Sequence, residues 1–508
     1  MKDTNRIIFN TGVVYAQLII STVIGLFIVR YVLQALGEDD FGIYMLVAGV
    51  VTLLNVLSVS MSNTSMRYMS YSLGQKDCII SLKTFNTTLY IHLLLGILVV
   101  ASLEMGGWIM FEWFLNIPEN RIHTAWIIYQ FMVFTALSTV IGTPYEAVIN
   151  SHENLLFLSI LTIISNLFHL LLAILLLYYG FDKLYLYGFY LMLINFGVLV
   201  GKYVYCNFRY DECRINFKRY VDRKLFHSIL SFTGWELFRS VSSIVTSQMR
   251  GVLLNAFFGV KLNAAEGLAK KVNAQVNTVS VGITRAITPQ MNKSEGGGDH
   301  NRMINLTYLG VKYTTFMFAL ASVPLLFEMD FLLNVWLKTI PLYTVLFCQL
   351  CILSQLTDKF TWQIGNAIRA VGKIKEFQII EGILTLSIII ISYFLLKMGQ
   401  EPAIVFWVEI VISLFTSLFR LYFGKKIVGI KPTIFIKEAT MPVLLPLVPS
   451  VLLPMFIVYS MQPGWTRLIL VLITFIVCYS FLFYLIGIKT EERDRLKSIL
   501  IILMNKVK

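Results

Sequence analysis

Fourteen apolar stretches follow one another along almost the whole chain, separated by short polar connections, at about 7–30, 41–63, 88–112, 122–145, 155–179, 184–205, 229–254, 264–288, 308–333, 342–366, 377–396, 402–422, 438–459 and 466–487. Crossing roughly 30 Å of hydrocarbon at 1.5 Å per residue takes about 20 residues. Backbone polar groups at that depth must be satisfied within the chain, which leaves helices or a closed barrel. Apolar runs of this length without period-two alternation exclude the barrel. The pattern predicts an all-α polytopic inner-membrane protein with 14 transmembrane helices. Two of its segments are interrupted, the seventh by Glu236, Arg239 and Arg250, the eighth by Glu266, Lys270, Lys271 and Arg285. If those two cross the membrane, they do so beside a polar interior.

Composition narrows the class. Of 508 residues 57% are apolar and only 14% charged, too little polar surface for a soluble protein of this size. An even number of spans places both termini on one side. The basic residues of the termini and of the even-numbered loops far outnumber those of the opposite loops, Arg121, Lys183, Lys261, Lys338 and Lys397. The positive-inside rule puts both ends in the cytoplasm. The densest basic rims are the 202–224 linker, with Lys202, Arg209, Arg214, Lys218, Arg219, Arg223 and Lys224, and the 420–437 loop, with Arg420, Lys425, Lys426, Lys431 and Lys437. These carry much of the formal charge of +13. Their expected partners are anionic membrane lipids, with no nucleic acid. The first apolar run is a full span followed by another, so no cleavable signal sequence is expected.

Sliding the chain by 222 residues aligns Asn55, Ser58, Val59, Met69, Ser72, Gly74 and Asp77 with Asn277, Ser280, Val281, Met291, Ser294, Gly296 and Asp299 without a gap, and Thr11-Gly12 with Thr233-Gly234. A duplicated unit of six spans keeps both copies in the same orientation, which predicts two parallel six-helix lobes related by an axis along the membrane normal, plus two C-terminal helices. The expected organisation is an N-terminal lobe over 1–205, a basic cytoplasmic linker over 206–225, a C-terminal lobe over 226–424, accessory helices over 425–487 and a cytoplasmic tail over 488–508. Pro442, Pro446, Pro449 and Pro454 predict a bent or locally irregular thirteenth helix.

The intramembrane charges are the candidate chemistry. Glu236 precedes Arg239 by three residues on one face, so the two either neutralise each other or Arg239 faces a hydrated cavity and attracts an anion. Glu266 can satisfy Lys270 one turn on, whereas Lys271 and Arg285 lack a carboxylate at helical spacing. Arg250, Lys270 and Lys271 fall in the outer half, Arg239 near the middle and Arg285 in the inner half, a ladder of attachment points for an anionic group. Asn277, near the centre of the eighth segment, and its repeat counterpart Asn55 join them as candidate substrate ligands. Arg30 either snorkels or is the first lobe's share of the cavity. Glu236, Asp358, Glu381 and Glu409 are candidates for Na+ or H+ coupling, although Glu381 and Glu409 lie near helix ends, where an interfacial position is equally open. Lys359 accompanies Asp358 in the tenth segment.

Other chemistries find little support. Six cysteines impose no disulfide scheme, and the lone pair Cys348 and Cys351 reads as apolar packing. The six histidines are scattered, with no metal-ligating spacing. Ser294-Glu-Gly-Gly-Gly-Asp299 lacks the lysine and preceding strand of a phosphate-binding loop. No enzyme activity, metal or cofactor is expected, and no soluble block is large enough for a nucleotide-driven pump.

The span arrangement, the stretch from Asn55 ending in Tyr71-Ser-Leu-Gly-Gln-Lys-Asp77, the hairpin Thr143-Pro-Tyr-Glu-Ala-Val-Ile-Asn-Ser-His-Glu153 and the exit Ile287-Thr-Pro-Gln-Met-Asn-Lys293 resemble the bacterial polysaccharide-biosynthesis flippases of the multidrug/oligosaccharidyl-lipid/polysaccharide exporter superfamily. The resemblance implies a V-shaped alternating-access transporter that moves undecaprenyl-diphosphate-linked O-antigen or capsule repeat units from the cytoplasmic to the outer leaflet, with polysaccharide polymerase or glycosyltransferases as partners. It implies a cationic cavity, for which Arg30, Arg239, Arg250, Lys270, Lys271 and Arg285 are this chain's candidates. A multidrug or cation antiporter of the same fold would favour carboxylates in that cavity. A non-transporting scaffold of a glycan assembly complex would need no cations at several depths.

Cysteines introduced singly into each loop and challenged with a membrane-impermeant thiol reagent test the topology. Both termini and the 202–224 linker are expected to label only from the cytoplasmic side, and labelling of the linker from outside would overturn the charge argument and the parallel repeat together.

Overall fold

The computed structural model describes residues 3–52, 55–113, 118–180, 182–337, 340–489 and 492–493, without the side chains of 3–5, 38, 46, 49–52, 55–58 and 260. Among the described residues there is no strand. The long helices of the N-terminal part are α1 Asp3–Thr52, α2 Asn55–Gly74, α3 Cys78–Trp113, α4 Glu119–Ser151, α5 Leu155–Leu175 and α6 Lys183–Arg209. After the linker come α7 Arg223–Phe258, α8 Val260–Gly296, α9 His300–Trp336, α10 Thr344–Val371, α11 Lys375–Lys397, α12 Ile404–Phe423, α13 Met441–Ser460 and α14 Trp465–Leu482. Among the described residues each apolar stretch of the sequence falls mainly on helix. The first two share α1, whose helical course breaks at Gly37 (φ 76°, ψ 177°), a conformation that L side chains rarely adopt.

Among the described residues ten stretches are long and apolar enough to cross a membrane by length and composition, and the chain is an all-α polytopic membrane protein. The ten leave out α2, α7, α8 and α10. These four carry polar side chains along their faces, and α7, α8 and α10 hold most of the charges singled out above.

The chain forms two compact units, one of Ile8–Leu237 with Asn292–Asp299, the other of Met1–Ile7, Phe238–Met291 and His300–Lys508. In the first, α4 packs against α2, α3 and α6. Buried Tyr129 on α4 donates its hydroxyl to the Leu103 carbonyl at 2.5 Å, and its ring occupies the space a side chain at Gly107 would need. Arg121 clasps Asp40 and Asp182 at 2.7 and 2.8 Å, tying three connections together at one end of the unit. The basic linker does not hang free. Buried Asn86 on α3 donates to the Arg214 carbonyl at 2.9 Å and accepts from the Asn216 N–H at 2.8 Å, and Thr87 accepts from the Asp222 N–H at 3.1 Å. Asp222 then caps α7 by accepting from the Lys224 and Leu225 N–H groups. Those backbone donors, the Leu225 N–H first, with Lys83 nearby, hold its carboxyl below the ordinary carboxylate range. Lys202, expected on the rim, is mostly buried and pairs with Glu146 at 2.6 Å.

In the second unit α9, α10 and α12 pack side by side around Phe318, Phe347 and Phe406. The last two long helices join this unit: Phe316 of α9 stacks on Phe483 with ring centroids 3.9 Å apart, and Arg467 of α14 donates to fully buried Glu328 of α9 at 2.9 Å. The proline-rich thirteenth segment continues as helix through Pro446, Pro449 and Pro454, and its irregularity is the π-helical turn Ile436–Thr440 before it.

Asn86→Ala removes two of the three hydrogen bonds described between the linker and α3, a loss of about 1–3 kcal/mol for the groups left unpaired. Hydrogen exchange in full-length protein should accelerate at residues 214–217 while α4 and α6 keep their protection. Unchanged exchange in the linker would mean that Asn86 does not anchor it.

Candidate functional site

The polar interior lies in the second unit, where four helices place charges at helical spacing. Arg420, in the last turn of α12, is only 4% exposed. Its Nε reaches Glu381 of α11 at 3.0 Å and its Nη1 reaches Asp358 of α10 at 2.6 Å. Its guanidinium lies 5.3 Å from the Trp362 ring centroid. Around the same ring stand Lys359 at 5.6 Å, Arg369 at 5.9 Å and Arg239 at 6.0 Å. An indole face attracts cations through its quadrupole, more strongly where water is excluded. Lys359 donates to the Asn277 Oδ1 at 2.7 Å, and Arg369 to the Asn366 Oδ1 at 2.9 Å. Four cations thus surround Trp362, and two of the carboxylates among them, Asp358 and Glu381, are held by Arg420.

A second cluster forms on the same helices. Arg250 of α7 reaches Glu266 of α8 at 3.1 Å and also pairs with Glu409 of α12. Glu266 is shared with Lys270 at 2.9 Å, and Lys270 also donates to the Ser247 carbonyl at 2.7 Å. On both α7 (Arg239 to Arg250) and α12 (Glu409 to Arg420) the clusters are eleven positions apart, about 16 Å of helical rise. Hydroxyls fill the interval between α10 and α12: Ser354 donates to Glu409, Thr357 meets Ser413 at 3.0 Å and Thr361 meets Ser417 at 3.0 Å. Beside the Arg250 cluster, Gln248, Asn255, Asn263, Glu266 and Lys270 line an open groove of about 580 Å³.

α8 has a different character. Its buried face carries Ala265, Ala269, Val276, Ile283, Ala286 and Ile287. Its other face exposes Ala264, Lys271, Gln275 and Arg285, with Thr278 half-exposed between them. Lys271 and Arg285 are 14 positions apart, nearly four turns and about 21 Å along one face. Neither has an ion-pair or hydrogen-bond partner among the described residues.

The sequence candidates therefore divide. Lys271 and Arg285 stand open, Arg250 and Lys270 are paired with carboxylates, Arg239 joins the Trp362 cluster, and half-buried Asn277 accepts from Lys359. Arg30 is exposed on α1 among apolar neighbours such as Leu26 and Phe27. The side chain of Asn55 lies outside the described residues, and Glu236 is fully buried in the part of α7 that belongs to the first unit. Glu381 is 6% exposed and held by Arg420 inside the bundle. Arg420 likewise is no rim residue, because the last turn of α12 turns it inward onto two carboxylates. The signal for it was present as a polar stripe at three- and four-residue spacing, Glu409, Ser413, Ser417 and Arg420, on an otherwise apolar helix. Among the described residues no group of three or more His, Cys, Asp or Glu is placed to hold a metal ion.

No protein-family model and no curated protein sequence matches the chain. Solved structures do. The chain is similar to a crystal structure of MATE in the bent conformation, with a TM-score of 0.72 and 13% identity over 84% of this chain and 96% of that one. It is similar to an outward-facing multidrug resistance MATE family transporter of the MOP superfamily, with a TM-score of 0.70 and 12% identity over 84% and 96%. It is also similar to a MOP superfamily transporter from Pyrococcus furiosus, whose binding pocket of reversed polarity suggests a different function for that protein, with a TM-score of 0.64 and 12% identity over 84% and 96%. The fold is that of the MATE transporters.

Arg420→Met leaves Asp358 and Glu381 without the arginine they share inside the bundle, a loss of about 3–5 kcal/mol. The variant should unfold at lower temperature in detergent, and adding Asp358→Asn and Glu381→Gln should restore much of the loss. A thermal midpoint unmoved by Arg420→Met would show that the ion pairs do not hold the bundle.

Proposed function

We propose that the chain is an alternating-access transporter that carries an anionic amphiphile, and that its cargo is an undecaprenyl-diphosphate-linked oligosaccharide repeat unit moved from the cytoplasmic to the outer leaflet. The observation that carries this reading is the exposed face of α8. A lysine or arginine facing hydrocarbon near the middle of a span costs about 2.5–3.5 kcal/mol on an insertion scale. Lys271 and Arg285 with Gln275 and Thr278 therefore make a face that belongs against water, and a hydrated face with two open cations attracts negative charge. Their 21 Å separation offers a diphosphate two successive attachment points, Arg285 toward the cytoplasmic end of α8 and Lys271 toward the outer end in the 14-span topology with both termini inside. The polar groove beside Lys270 is of a size that holds small ligands and supplies amides for sugar hydroxyls. The prenyl tail stays in lipid throughout.

The Trp362 cluster has a different part in this reading. Arg420 holds Asp358 and Glu381, so those charges brace the second unit from within while cargo passes along α8. Arg239 stands at the edge of that cluster and is the candidate link between it and the cargo. Coupling to Na+ or H+ through Asp358, Glu381 or Glu409 would have to act on carboxylates that arginines already engage. Facilitation driven by removal of product outside is compatible with the same geometry.

The second reading, a multidrug or cation antiporter, is favoured by the multidrug resistance transporter among the similar structures. It would use Asp358, Glu381 or Glu409 to meet a cationic cargo. Arg420 and Arg250 compete for those same carboxylates, which is the physical ground for placing the anionic cargo first.

Reconstituted protein given labelled lipid-linked repeat units is expected to expose label in the outer leaflet of the vesicle to a chemical reductant. Lys271→Ala and Arg285→Ala should each slow this about tenfold, the loss of about 1.4 kcal/mol, and Arg285→Lys should retain part of the rate if charge matters more than bidentate geometry. Export of small organic cations with no glycan flipping would establish the antiporter reading instead.

A further inference from the structure

The 222-residue repeat pairs Gly74 with Gly296 and Tyr71 with Lys293. Within the first unit these four residues meet, because the last turn of α8 is part of that unit. A Cβ on Gly74 would lie 2.1 Å from the Lys293 carbonyl oxygen, and a Cβ on Gly296 would lie 2.1 Å from the Tyr71 carbonyl oxygen. Each glycine touches the carbonyl three residues before the other, so the contact is reciprocal and locally two-fold. No side chain larger than hydrogen fits at either position without moving the helices apart.

Charge bears on this contact in two ways. The contact brings together the C-terminal ends of α2 and α8, both of which carry partial negative charge. Cations sit beside it: Lys293 lies 3.4 Å from Glu153, and Arg67 stacks 4.6 Å and 4.8 Å from the rings of Tyr68 and Tyr71 within electrostatic reach of Glu295. Tyr68 also bonds Ser228 of α7 at 2.7 Å. Glycine against backbone buries little apolar area, and closure that rests on polar contacts between like helix ends separates at modest cost.

We infer that Gly74 and Gly296 form a reversible backbone latch, closed in this structure, whose release frees the end of α8 from α2. Its place in a transport cycle rests on the proposed function, since α8 carries the open cations. The latch itself rests only on the geometry of the contact.

The test is hydrogen exchange of full-length protein in lipid nanodiscs, which needs no cargo. The Gln75 N–H bonds the Tyr71 carbonyl and the Gly297 N–H bonds the Lys293 carbonyl, the same two oxygens the glycines touch. Gly296→Ala should therefore raise exchange at Gln75, and Gly74→Ala at Gly297, each at least tenfold and each across the contact. Gly106→Ala, whose added methyl meets nothing within 4 Å, should change neither. Exchange altered only on the substituted helix, at neither amide, or throughout the protein would overturn the latch. A second arm does not depend on the glycine variants folding: in a Cys78→Ser background, Glu153→Cys and Lys293→Cys are bridged by a short bifunctional thiol reagent. Bridging should slow exchange at Gln75 and Gly297 at least tenfold, and equal rates before and after bridging would mean that the contact never opens. If the latch behaves as expected while the parent protein moves no lipid-linked glycan, the cargo is wrong and the latch stands.

Discussion

A charge taken out of water must have a partner, and this one requirement organises the second unit. Arg250 and Arg420 each take two carboxylates from neighbouring helices, and those pairs join α7, α8, α10, α11 and α12. Buried among helices, such pairs add specificity as well as attraction, because a shifted helix register would strand both ions. Lys271 and Arg285 answer the same requirement the other way, by standing on an exposed polar face. The division between paired and open cations is what separates bracing from candidate cargo contact.

The helices least like membrane spans in composition are the ones that make the interior. α10 is polar on the face it turns toward α12, where Ser354, Thr357 and Thr361 meet Glu409, Ser413 and Ser417. Hydroxyls at three- and four-residue spacing let two helices share hydrogen bonds over several turns without burying an unpaired donor. The result is a polar seam between the Arg250 and Arg420 clusters, and it keeps the two helices in one register. α8 lacks such a seam along its open face, and its last turn is instead docked by the glycine contact in the first unit.

Much was legible in the sequence. Length and hydropathy required helices, since no other backbone satisfies itself over 20 or so residues of hydrocarbon. The charge periodicity of α8 was visible as well, because Lys271 and Arg285 had no carboxylate at helical spacing and proved to have no partner among the described residues either. The repeat identity of Gly74 and Gly296 was visible without its meaning, which is a clash of a methyl with a carbonyl on another helix.

What the sequence alone determined is therefore what depends on one helix at a time: where helices run, which faces are apolar, and which charges lack a neighbour three or four residues away. Only the tertiary structure decided that Arg250 is paired, that Glu381 is buried, and that Arg420 turns inward to hold it. The physical reason is range. Helical periodicity reports neighbours within about 5–6 Å along one helix, whereas the partners of those three residues lie 16 to 159 positions away and meet only when the helices pack.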